Sequence, residues 1–315
     1  MITNISDINN AAIRIKPYIH RTPVLTSQSI NQILGGDFYF KCENFQKTGA
    51  FKFRGASNAI FSISADDLKN GVATHSSGNH AAALSLAARN RNTKAFIVMP
   101  EDSSAIKIKA VKSYGGIITF CEPTLQSRED TLSKIISETN AIEIHPYNNY
   151  PIICGQATAA KELIEDFPHL DVIIAPVGGG GLLSGTALAT HYYSPGTKVI
   201  AAEPEQANDA FHSFYQKKFI PSVSPQTIAD GLRTSLGSLT FPIIQKYVTQ
   251  IVTVSELSII QAMRLIWERM KIIIEPSSAV PIAALLENKF DYKGQKIGII
   301  LSGGNVDLKK LPWIS

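Results

Sequence analysis

The sequence predicts an α/β fold built on parallel sheets, and two observations indicate it. Short apolar runs bounded by glycine or proline alternate with helix-length segments along the 315 residues, as is typical of strands connected by helices. Most of these runs are continuously hydrophobic, as expected of strands that helices cover on both faces. The predicted strands are residues 37–42, 71–74, 95–99, 117–121, 172–176, 198–202, 250–254 and 296–301.

Helices are predicted between these strands, at residues 53–62, 79–89, 105–114, 131–140, 155–167, 182–192, 255–270 and 277–286. The helix over 255–270 begins with Ser255 and has Glu256 in its first turn, a pattern typical of a helix N-terminus. Residues 71–148 contain their own alternation of strands and helices, so we expect them to form a small domain. Residues 1–70 and 149–315 then form the large domain.

The charge pattern and the cysteines favour a soluble, cytoplasmic protein. The 30 basic and 26 acidic residues are scattered, without the basic run that binds nucleic acid or anionic lipid. Cys42, Cys121 and Cys154 have neither a CxxC pair nor the spacing of a disulfide framework. The longest apolar runs fall well below the roughly 20 residues that span a bilayer, and residues 1–10 lack the pattern of a signal peptide. We therefore expect no nucleic-acid partner and no membrane segment.

Lys52 is the first candidate for chemistry. It stands between Phe51 and Phe53 and two residues before Arg54. A lysine that forms a Schiff base needs a neutral amine, and apolar neighbours and a nearby cation both lower the lysine pKa. The alternative is an ordinary lysine whose stem packs on the aromatic rings while its ammonium group stays in water.

A glycine tetrad, Gly178 to Gly181, follows the apolar run 172–177 and precedes the helix predicted from Leu182. Successive glycines let backbone N–H groups turn toward one anion, and the helix N-terminus adds partial positive charge. The segment lacks both the Gly-Lys-Ser/Thr end of a nucleotide P-loop and the GxGxxG spacing of a dinucleotide fold. It therefore predicts a site for a single phosphate group, with a flexible turn as the alternative.

Two more polar turns follow predicted strands. Residues 75–80, with the sequence HSSGNH, present hydroxyl and N–H groups that can bind a ligand, although Ser77 or Asn79 could instead cap the next helix. Residues 302–305, with the sequence SGGN, follow the strand 296–301. Because ligands of open α/β sheets lie beyond the carboxyl ends of strands, we expect these turns and the tetrad to meet in one crevice.

Taken in order, these four motifs resemble those of the fold-type II pyridoxal-phosphate (PLP) enzymes, and the resemblance covers nearly the whole chain. Residues 22–27, 45–49, 201–204 and 267–271 add a similarity to eukaryotic serine racemases, with the serine and threonine dehydratases as neighbours. The family implies a fold like that of the tryptophan synthase β subunit, with the active site between a large and a small open α/β domain. It also implies a homodimer that racemises serine and eliminates serine to pyruvate and ammonia.

Carried over by motif, the resemblance implies a role for each part of the site. Lys52 forms the Schiff base with PLP, Asn79 contacts the phenolic oxygen, and Ser302 hydrogen-bonds the pyridine nitrogen. Lys52 and Ser77 exchange the α-proton on opposite faces of the substrate. The phosphate is bound by the backbone N–H groups of Gly178, Gly179, Gly180, Gly181 and Leu182. The substrate carboxylate is bound by Ser76, Ser77, Gly78, Asn79 and His80.

The resemblance also implies two regulatory sites. Glu203, Asp209 and the backbone carbonyl of Ala207 match a divalent-cation site, whose oxygen ligands suit Mg²⁺ or Ca²⁺. An ATP effector site is matched by Ser27, Gln28, Ser29, Lys47, Thr48, Tyr114, Lys271 and Asn305. Ala82 stands where the nucleotide site has glutamine, and Tyr147 stands where an asparagine is expected near the cofactor. These departures affect the predicted nucleotide site more than the predicted catalytic residues.

Three alternatives stay open at this point. A threonine or serine dehydratase that hardly racemises is the nearest, and Ser77 favours the racemase over it. A β-replacement enzyme similar to cysteine synthase is the second. The third belongs to another class, a non-catalytic protein that binds a phosphate ligand on the same scaffold.

Overall fold

The structure is a computed structural model that describes residues 3–313, and within them ten strands form two separate sheets. The strands are β1 (Val24–Leu25), β2 (Asp37–Cys42), β3 (Val72–His75), β4 (Ala95–Pro100), β5 (Ile117–Cys121), β6 (Ile142–Glu143), β7 (Val172–Pro176), β8 (Lys198–Pro204), β9 (Gln250–Val254) and β10 (Lys296–Leu301).

Thirteen α-helices accompany the strands in the described part of the chain. They are α1 (Ile5–Ile15), α2 (Gln28–Leu34), α3 (Lys52–Phe61), α4 (Ala65–Leu68), α5 (Asn79–Asn90), α6 (Ala105–Ser113), α7 (Leu125–Thr139), α8 (Tyr150–Asp166), α9 (Gly181–Tyr193), α10 (Asp209–Gln216), α11 (Thr240–Tyr247), α12 (Glu256–Met270) and α13 (Pro276–Leu286). Short 3₁₀ turns lie at Glu43–Phe45, Lys47–Gly49, Glu205–Ala207 and Asp230–Leu232.

The large sheet has the strand order β1-β2-β10-β7-β8-β9, and all its neighbours are parallel except β1 and β2. Helices cover both faces: α12 and α13 contribute to the core on one side, and α8, α9 and α11 to the core on the other. This double cover explains why the strands are continuously hydrophobic. Parallel pairing also brings the carboxyl ends of β2, β10, β7 and β8 to one edge of the sheet.

The small sheet has the strand order β5-β4-β3-β6, is entirely parallel, and lies within residues 72–143. Its main core is shared with residues outside that range, because Phe53 and Ile60 of α3 pack there with α5. The domain boundaries at 71 and 148 stay a prediction. α3 therefore contacts the core of the small sheet while its first turn lies beside the large one.

The predicted α/β class is confirmed, and all eight predicted strands occur with ends that differ by two residues at most. The predicted helices also occur, although α7 and α8 begin five or six residues earlier than predicted because Thr124 and Asn149 cap them. The sequence analysis did not predict α1, α2, α4, α10 and α11 or the two-residue strands β1 and β6. Within residues 3–313, no helix is long and apolar enough to cross a membrane.

The described helices begin in two ways, with or without a side-chain cap. Seven helices start with a Ser, Thr or Asn side chain that accepts a backbone N–H, as in the capping box of Asn4 and Asp7. No N-cap side chain caps the other six helices, which are α3, α5, α9, α10, α11 and α13. Three of these six helices, α3, α5 and α9, begin at the predicted site segments. At the start of α9 the backbone N–H groups have no backbone acceptor within residues 3–313 and stay available for another partner.

Candidate active site

The predicted site residues meet at the carboxyl edge of the large sheet. β2, β10 and β7 are adjacent parallel strands, and the segments that follow them carry Lys52, Ser302 and the glycine tetrad. Backbone contacts join the first two segments: the N–H of Phe51 donates to the Ser302 carbonyl at 3.0 Å, and Ala50 pairs with Gly303. The tetrad and residues 302–305 therefore lie at one edge of the large sheet. The third predicted turn, residues 75–80, instead follows β3 of the small sheet, and Asn79 connects it to this edge through Glu275 and Asn305.

Lys52 lies in the first turn of α3. Its Nζ donates a hydrogen bond of 2.9 Å to the Pro146 carbonyl and lies 5.2 Å from the centre of the Phe51 ring. Burial lowers the pKa of Lys52 to about 8, although the Glu275 carboxylate favours the charged form. At neutral pH this lysine therefore has far more neutral amine than an exposed lysine, as a nucleophile requires.

The prediction that the Arg54 cation lowers this pKa is wrong. Arg54 is fully buried, and its guanidinium group donates to the carboxylates of Glu43 and Glu162 at 2.7–2.8 Å. Because two carboxylates neutralise the cation, burial alone lowers the lysine pKa. Of the two flanking rings, Phe51 contacts the amine, whereas Phe53 packs in the core of the small sheet.

The glycine tetrad turns the chain from β7 into α9. Gly180 has a φ of 84°, in the left-handed region that favours glycine. A Cβ atom on Gly179 would lie 2.4 Å from the Tyr147 ring, so a larger residue does not fit there. The backbone N–H groups of residues 178–182 donate to no acceptor within residues 3–313, and so they can bind an anion.

Two of the predicted cofactor contacts, Asn79 and Ser302, have buried polar partners, and the partner of Asn79 is Glu275. Both oxygens of Glu275 accept from the Asn79 amide, at 2.9 and 3.1 Å, and Asn305 donates to Asn79 Oδ1 at 2.9 Å. Burial raises the pKa of Glu275 to about 7. Ser302 is 2% exposed, and its hydroxyl oxygen lies 3.3 Å from that of Ser278. The side chains of Asn79 and Ser302 are thereby held in fixed orientations.

Residues 76–80 connect β3 of the small sheet to α5. Gly78 occupies the N-cap position and no side chain caps the helix, so the alternative that Ser77 or Asn79 is its structural cap is wrong. Ser76, Ser77 and Gly78 are half-buried, and a Cβ atom on Gly78 would meet nothing within 4 Å. Burial lowers the pKa of His80 to about 3, so its imidazole is neutral. The uncapped helix start and the short polar side chains can therefore bind a carboxylate.

The donor set of the crevice suits PLP. A phosphate monoester needs several converging N–H groups, and residues 178–182 offer them without competing acceptors. An aldehyde needs an amine of lowered pKa, which Lys52 supplies. A pyridine nitrogen needs a hydrogen-bonding group, and the Ser302 hydroxyl lies at the end of the strand between the other two. Three of the cofactor's polar parts, the phosphate, the aldehyde and the ring nitrogen, therefore have a matching group at this edge.

Two carboxyl groups lie near the end of β8, which neighbours the strand before the tetrad. Glu203 is fully buried and accepts the N–H groups of Ala210 and Phe211 at 3.0 and 2.8 Å. Asp209 is 5% exposed, and neither of its oxygens has a hydrogen-bond partner within residues 3–313. Burial raises the pKa of Glu203 well above its usual range and that of Asp209 to about 6. Neither carboxylate is thus stabilised by a neighbouring cation.

Two carboxylates make a sparse metal site. No group of three or more His, Cys, Asp and Glu side chains within residues 3–313 is placed to hold a metal ion. Ala207, whose carbonyl is the third predicted ligand, is buried at the end of a 3₁₀ turn between Glu203 and Asp209. A cation would therefore depend on carboxylate, carbonyl and water oxygens, a set that suits a hard ion such as Mg²⁺ or Ca²⁺.

The residues matched to a nucleotide site are divided between different places. A cavity of about 570 Å³ lies between α6 of the small sheet and the 304–312 segment, and three of the predicted residues line it: Thr48, Tyr114 and Asn305. Gln28 lines a separate cavity of about 380 Å³. The remaining four line neither of these cavities, and they are Ser27, Ser29, Lys47 and Lys271. The described chain therefore does not gather the predicted nucleotide residues into one site.

Three features of the site were not predicted from the sequence. Glu275 was missed, although an acid between the apolar run 272–274 and Pro276 at a helix start is a usable signal. The Pro146 carbonyl as a partner of Lys52 has no local signal. The same is true of the ion pair between Lys107 and Asp230, which links α6 to a turn of the large-sheet region, because these residues are distant in sequence.

Comparisons with known proteins agree with this geometry. The chain matches the family described as pyridoxal-phosphate dependent enzyme over residues 15–303. It is 50% identical to the serine racemase of Dictyostelium discoideum, covering 98% of this chain and 97% of that protein. It is 49% identical to the beta-hydroxyaspartate dehydratase of Paracoccus denitrificans, covering 99% of both. The structure of maize serine racemase is similar, with a TM-score of 0.96 and 45% identity over 98% of this chain and 95% of that one. This chain belongs to the family of pyridoxal-phosphate dependent enzymes.

Proposed function

We propose that this chain is a PLP-dependent serine racemase that interconverts L-serine and D-serine and also eliminates serine to pyruvate and ammonia. The observation that carries the proposal is the convergence of Lys52, Ser302 and the uncapped glycine tetrad on three adjacent strand ends. The serine racemases of Dictyostelium discoideum and maize support the choice of substrate, since both are similar over nearly the whole chain.

The residues of the crevice divide the work of holding the cofactor. Lys52 binds its aldehyde carbon, the N–H groups of residues 178–182 bind its phosphate, and Ser302 hydrogen-bonds its ring nitrogen. Asn79, oriented by Glu275, contacts its phenolic oxygen. When bound, PLP withdraws electrons from the substrate α-carbon and so weakens the bond to the α-proton.

Racemisation requires one group to remove the α-proton and a second group to return a proton from the opposite face. Lys52 is the first of these groups, because burial lowers its pKa to about 8 and leaves a basic amine. Ser77 is the second, and its hydroxyl lies in the half-buried turn before α5. Ser76, Ser77, Gly78, Asn79 and His80 hold the substrate carboxylate at the uncapped start of that helix.

Absorbance tests the cofactor lysine. The purified protein is expected to be yellow, with a band near about 410–420 nm that borohydride removes and that Lys52→Ala lacks. Lys69→Ala is the matched control, because it changes an exposed lysine outside the crevice, and it is expected to keep the band. A wild-type protein that gains no band with added PLP would overturn the assignment.

Product analysis tests Ser77. The protein is incubated with L-serine, and D-serine and pyruvate are followed together for wild type and Ser77→Ala. We expect D-serine formation to fall by about 10²-fold or more, the usual contribution of a general acid or base, and pyruvate formation to fall less. Equal retention of D-serine formation would remove Ser77 from this role.

A dehydratase that scarcely racemises is the second candidate. The relative from Paracoccus denitrificans is named for the dehydration of β-hydroxyaspartate, which carries a second carboxylate. Arg128, at the start of α7, has a buried Nε without a hydrogen-bond partner in the described residues. Its charge adds to the effect of burial in lowering the pKa of His75 at the end of β3. This cation favours a substrate with a second carboxylate. Comparing kcat/KM for L-serine, L-threonine and 3-hydroxyaspartate, with D-serine measured in parallel, separates the two candidates.

We also propose that Glu203, Asp209 and the Ala207 carbonyl bind Mg²⁺ or Ca²⁺. What supports the site is that two buried carboxyl groups have raised pKa values and no neighbouring cation, and that the charge of Asp209 adds to burial in raising the pKa of Glu203. A bound divalent ion would ionise both groups and use the unpaired oxygens of Asp209.

An ATP effector and a homodimer complete the proposal. Four of the predicted nucleotide residues line two separate cavities and four line neither, so one copy of the chain does not gather them, and we propose that a nucleotide binds between two copies. Sedimentation with and without ATP tests both expectations together. The free thiols of Cys42, Cys121 and Cys154 agree with the expected cytoplasmic location.

A further inference from the structure

Four buried charged residues lie next to the turn that carries Lys52, and the proposed reaction does not use them. We name them the Arg54 cluster: Lys41, Glu43, Arg54 and Glu162. Three are fully buried and Glu162 is 9% exposed. The two cations balance the two carboxylates, so the cluster carries no net charge.

Arg54 uses its whole guanidinium group in this cluster. Its Nε and Nη2 donate to the two oxygens of Glu43 at 2.7 and 2.8 Å, and its Nη1 and Nη2 donate to the two oxygens of Glu162, both at 2.8 Å. Nη1 also donates to the Thr158 hydroxyl at 3.1 Å. Two bidentate pairs fix the plane of the guanidinium group, whereas the single ammonium group of a lysine cannot do so.

Glu43 and Arg54 stand at the two ends of the segment that contains Lys52. After β2 this segment bends through two 3₁₀ turns and enters α3, which no side chain caps. Thr48 within it has a φ of 63°, a conformation that β-branched residues rarely adopt. Strained backbone persists only where the surroundings hold it in place. The Glu43–Arg54 pair closes the base of this strained segment.

The second half of the cluster holds α3 against α8. The two helices touch at their glycines, since a Cβ atom on Gly155 would lie 2.6 Å from the Cα of Gly55. The Gly55 N–H donates to Gln156 Oε1 at 3.2 Å. Glu162, further along α8, accepts from Arg54. Contacts at two levels of α8 fix both the position and the rotation of α3.

We propose that Arg54 is a positioning residue for Lys52: its forked contacts to Glu43 and Glu162 set the direction in which α3 presents the lysine amine. This inference rests on the proposed role of Lys52 as the cofactor lysine. Buried ion clusters stabilise a fold no better than well-packed apolar side chains do, and often less. What the cluster contributes is direction, because paired guanidinium and carboxylate groups tolerate little change in geometry.

The test compares two variants of the full-length protein after PLP has been removed and added back. Arg54→Lys keeps the positive charge and removes the two bidentate pairs of the guanidinium group. Lys41→Met is the matched control, since it removes an equally buried charge that contacts Glu162 and the Thr22 carbonyl but not α3. The rate constant for the return of the absorbance band near about 410–420 nm measures how well the amine is placed.

We expect Arg54→Lys to slow this rate by about 10²-fold, because misplacing a reacting group by about 1 Å has an effect of that size. Lys41→Met is expected to keep a rate close to that of the wild type, even if urea unfolding shows that it loses as much stability as Arg54→Lys. The Kd for PLP in a Lys52→Ala background, which reports phosphate binding without the covalent bond, is expected to stay unchanged when Arg54→Lys is added.

Equal rates in both variants, whether both slow or both fast, would overturn the positioning role. If Arg54→Lys does not fold, Glu43→Gln takes its place with the same criteria, because it keeps the arginine and removes the charge of one of the two carboxylates that hold its guanidinium group. The proposed function fails separately, since a Lys52→Ala protein that still binds PLP covalently would refute the cofactor lysine itself.

Discussion

Two groups of buried carboxylates border the large sheet, and they differ in what neutralises them. In the Arg54 cluster, Glu43 and Glu162 receive hydrogen bonds from two buried cations. We name Glu203 and Asp209 the Glu203 pair. Glu203 accepts two backbone N–H groups, whereas Asp209 accepts no hydrogen bond within the described residues. Both groups are almost fully buried, so desolvation acts on each of them.

The pKa values follow from this difference. Burial alone would raise the pKa of Glu162, but the hydrogen bonds and charge of Arg54 hold it below its usual range. Burial and the neighbouring Asp209 carboxyl group together raise the pKa of Glu203 well above its usual range. A buried carboxylate whose charge is already matched is part of the architecture. A buried pair without a counter-charge is instead consistent with the divalent-cation site that we propose.

The largest expected effect comes from breaking the matched cluster. Glu162→Gln leaves two buried cations with one carboxylate, so we expect the free energy of unfolding to fall by about 3–5 kcal/mol. Urea unfolding measures it. Glu165→Gln on the same helix is the matched control, because Glu165 pairs with Arg21 and Lys161 at a side chain that is 42% exposed. The free energy of unfolding of Glu165→Gln is expected to fall by no more than about 1 kcal/mol. Similar losses in both variants would show that the cluster is not held by its charges.

The sequence predicts the chemistry of the site better than it predicts these clusters. Lys52, the tetrad and Ser302 are recognisable because each follows a hydrophobic run and belongs to a local motif. Arg54 was misread because its partners are 11 and 108 residues away, and no local pattern reports such distances. Its proximity to Lys52 in sequence suggested a free cation, whereas the fold neutralises it.

The same limit applies to the secondary structure. The buried parallel strands were predicted because their hydrophobic runs are uninterrupted. α10 and α11 were missed because each has only eight residues, too few for a clear helical period. The early start of α8 was missed because Asn149, its cap, lies among other polar residues at 147–150 and has no distinct signal there.

The next largest effect concerns the unmatched pair. With Mg²⁺ at about 100 times its Kd, binding to the folded state is expected to add about 2.7 kcal/mol to the free energy of unfolding. Asp209→Asn is expected to remove most of this gain. It is also expected to leave the metal-free protein at least as stable as the wild type, because it removes one of two neighbouring carboxyl groups.

Glu205→Gln is the matched control for the metal experiment. It changes an exposed acid of the neighbouring 3₁₀ turn that pairs with Lys289 at 3.6 Å, so the response to Mg²⁺ is expected to persist. Thermal unfolding with EDTA, and then with Mg²⁺ in excess, measures both variants. An equal Mg²⁺ response in wild type and Asp209→Asn would contradict the proposed site.

The smallest expected effect is the pH dependence of the matched cluster. The folded-state pKa of Glu162 lies below its ordinary value of 4.5, so its contribution to stability is fully present above pH 4.5 and is lost as the pH falls through the folded-state pKa. Glu162→Gln lacks the carboxyl group whose titration causes this loss. The difference in unfolding free energy between wild type and this variant is therefore expected to be constant near neutral pH and to shrink in acid. Urea unfolding at a series of pH values measures that difference. If it stayed constant into acid, Glu162 would act through the shape of its hydrogen bonds, and its charge would not distinguish the Arg54 cluster from the Glu203 pair.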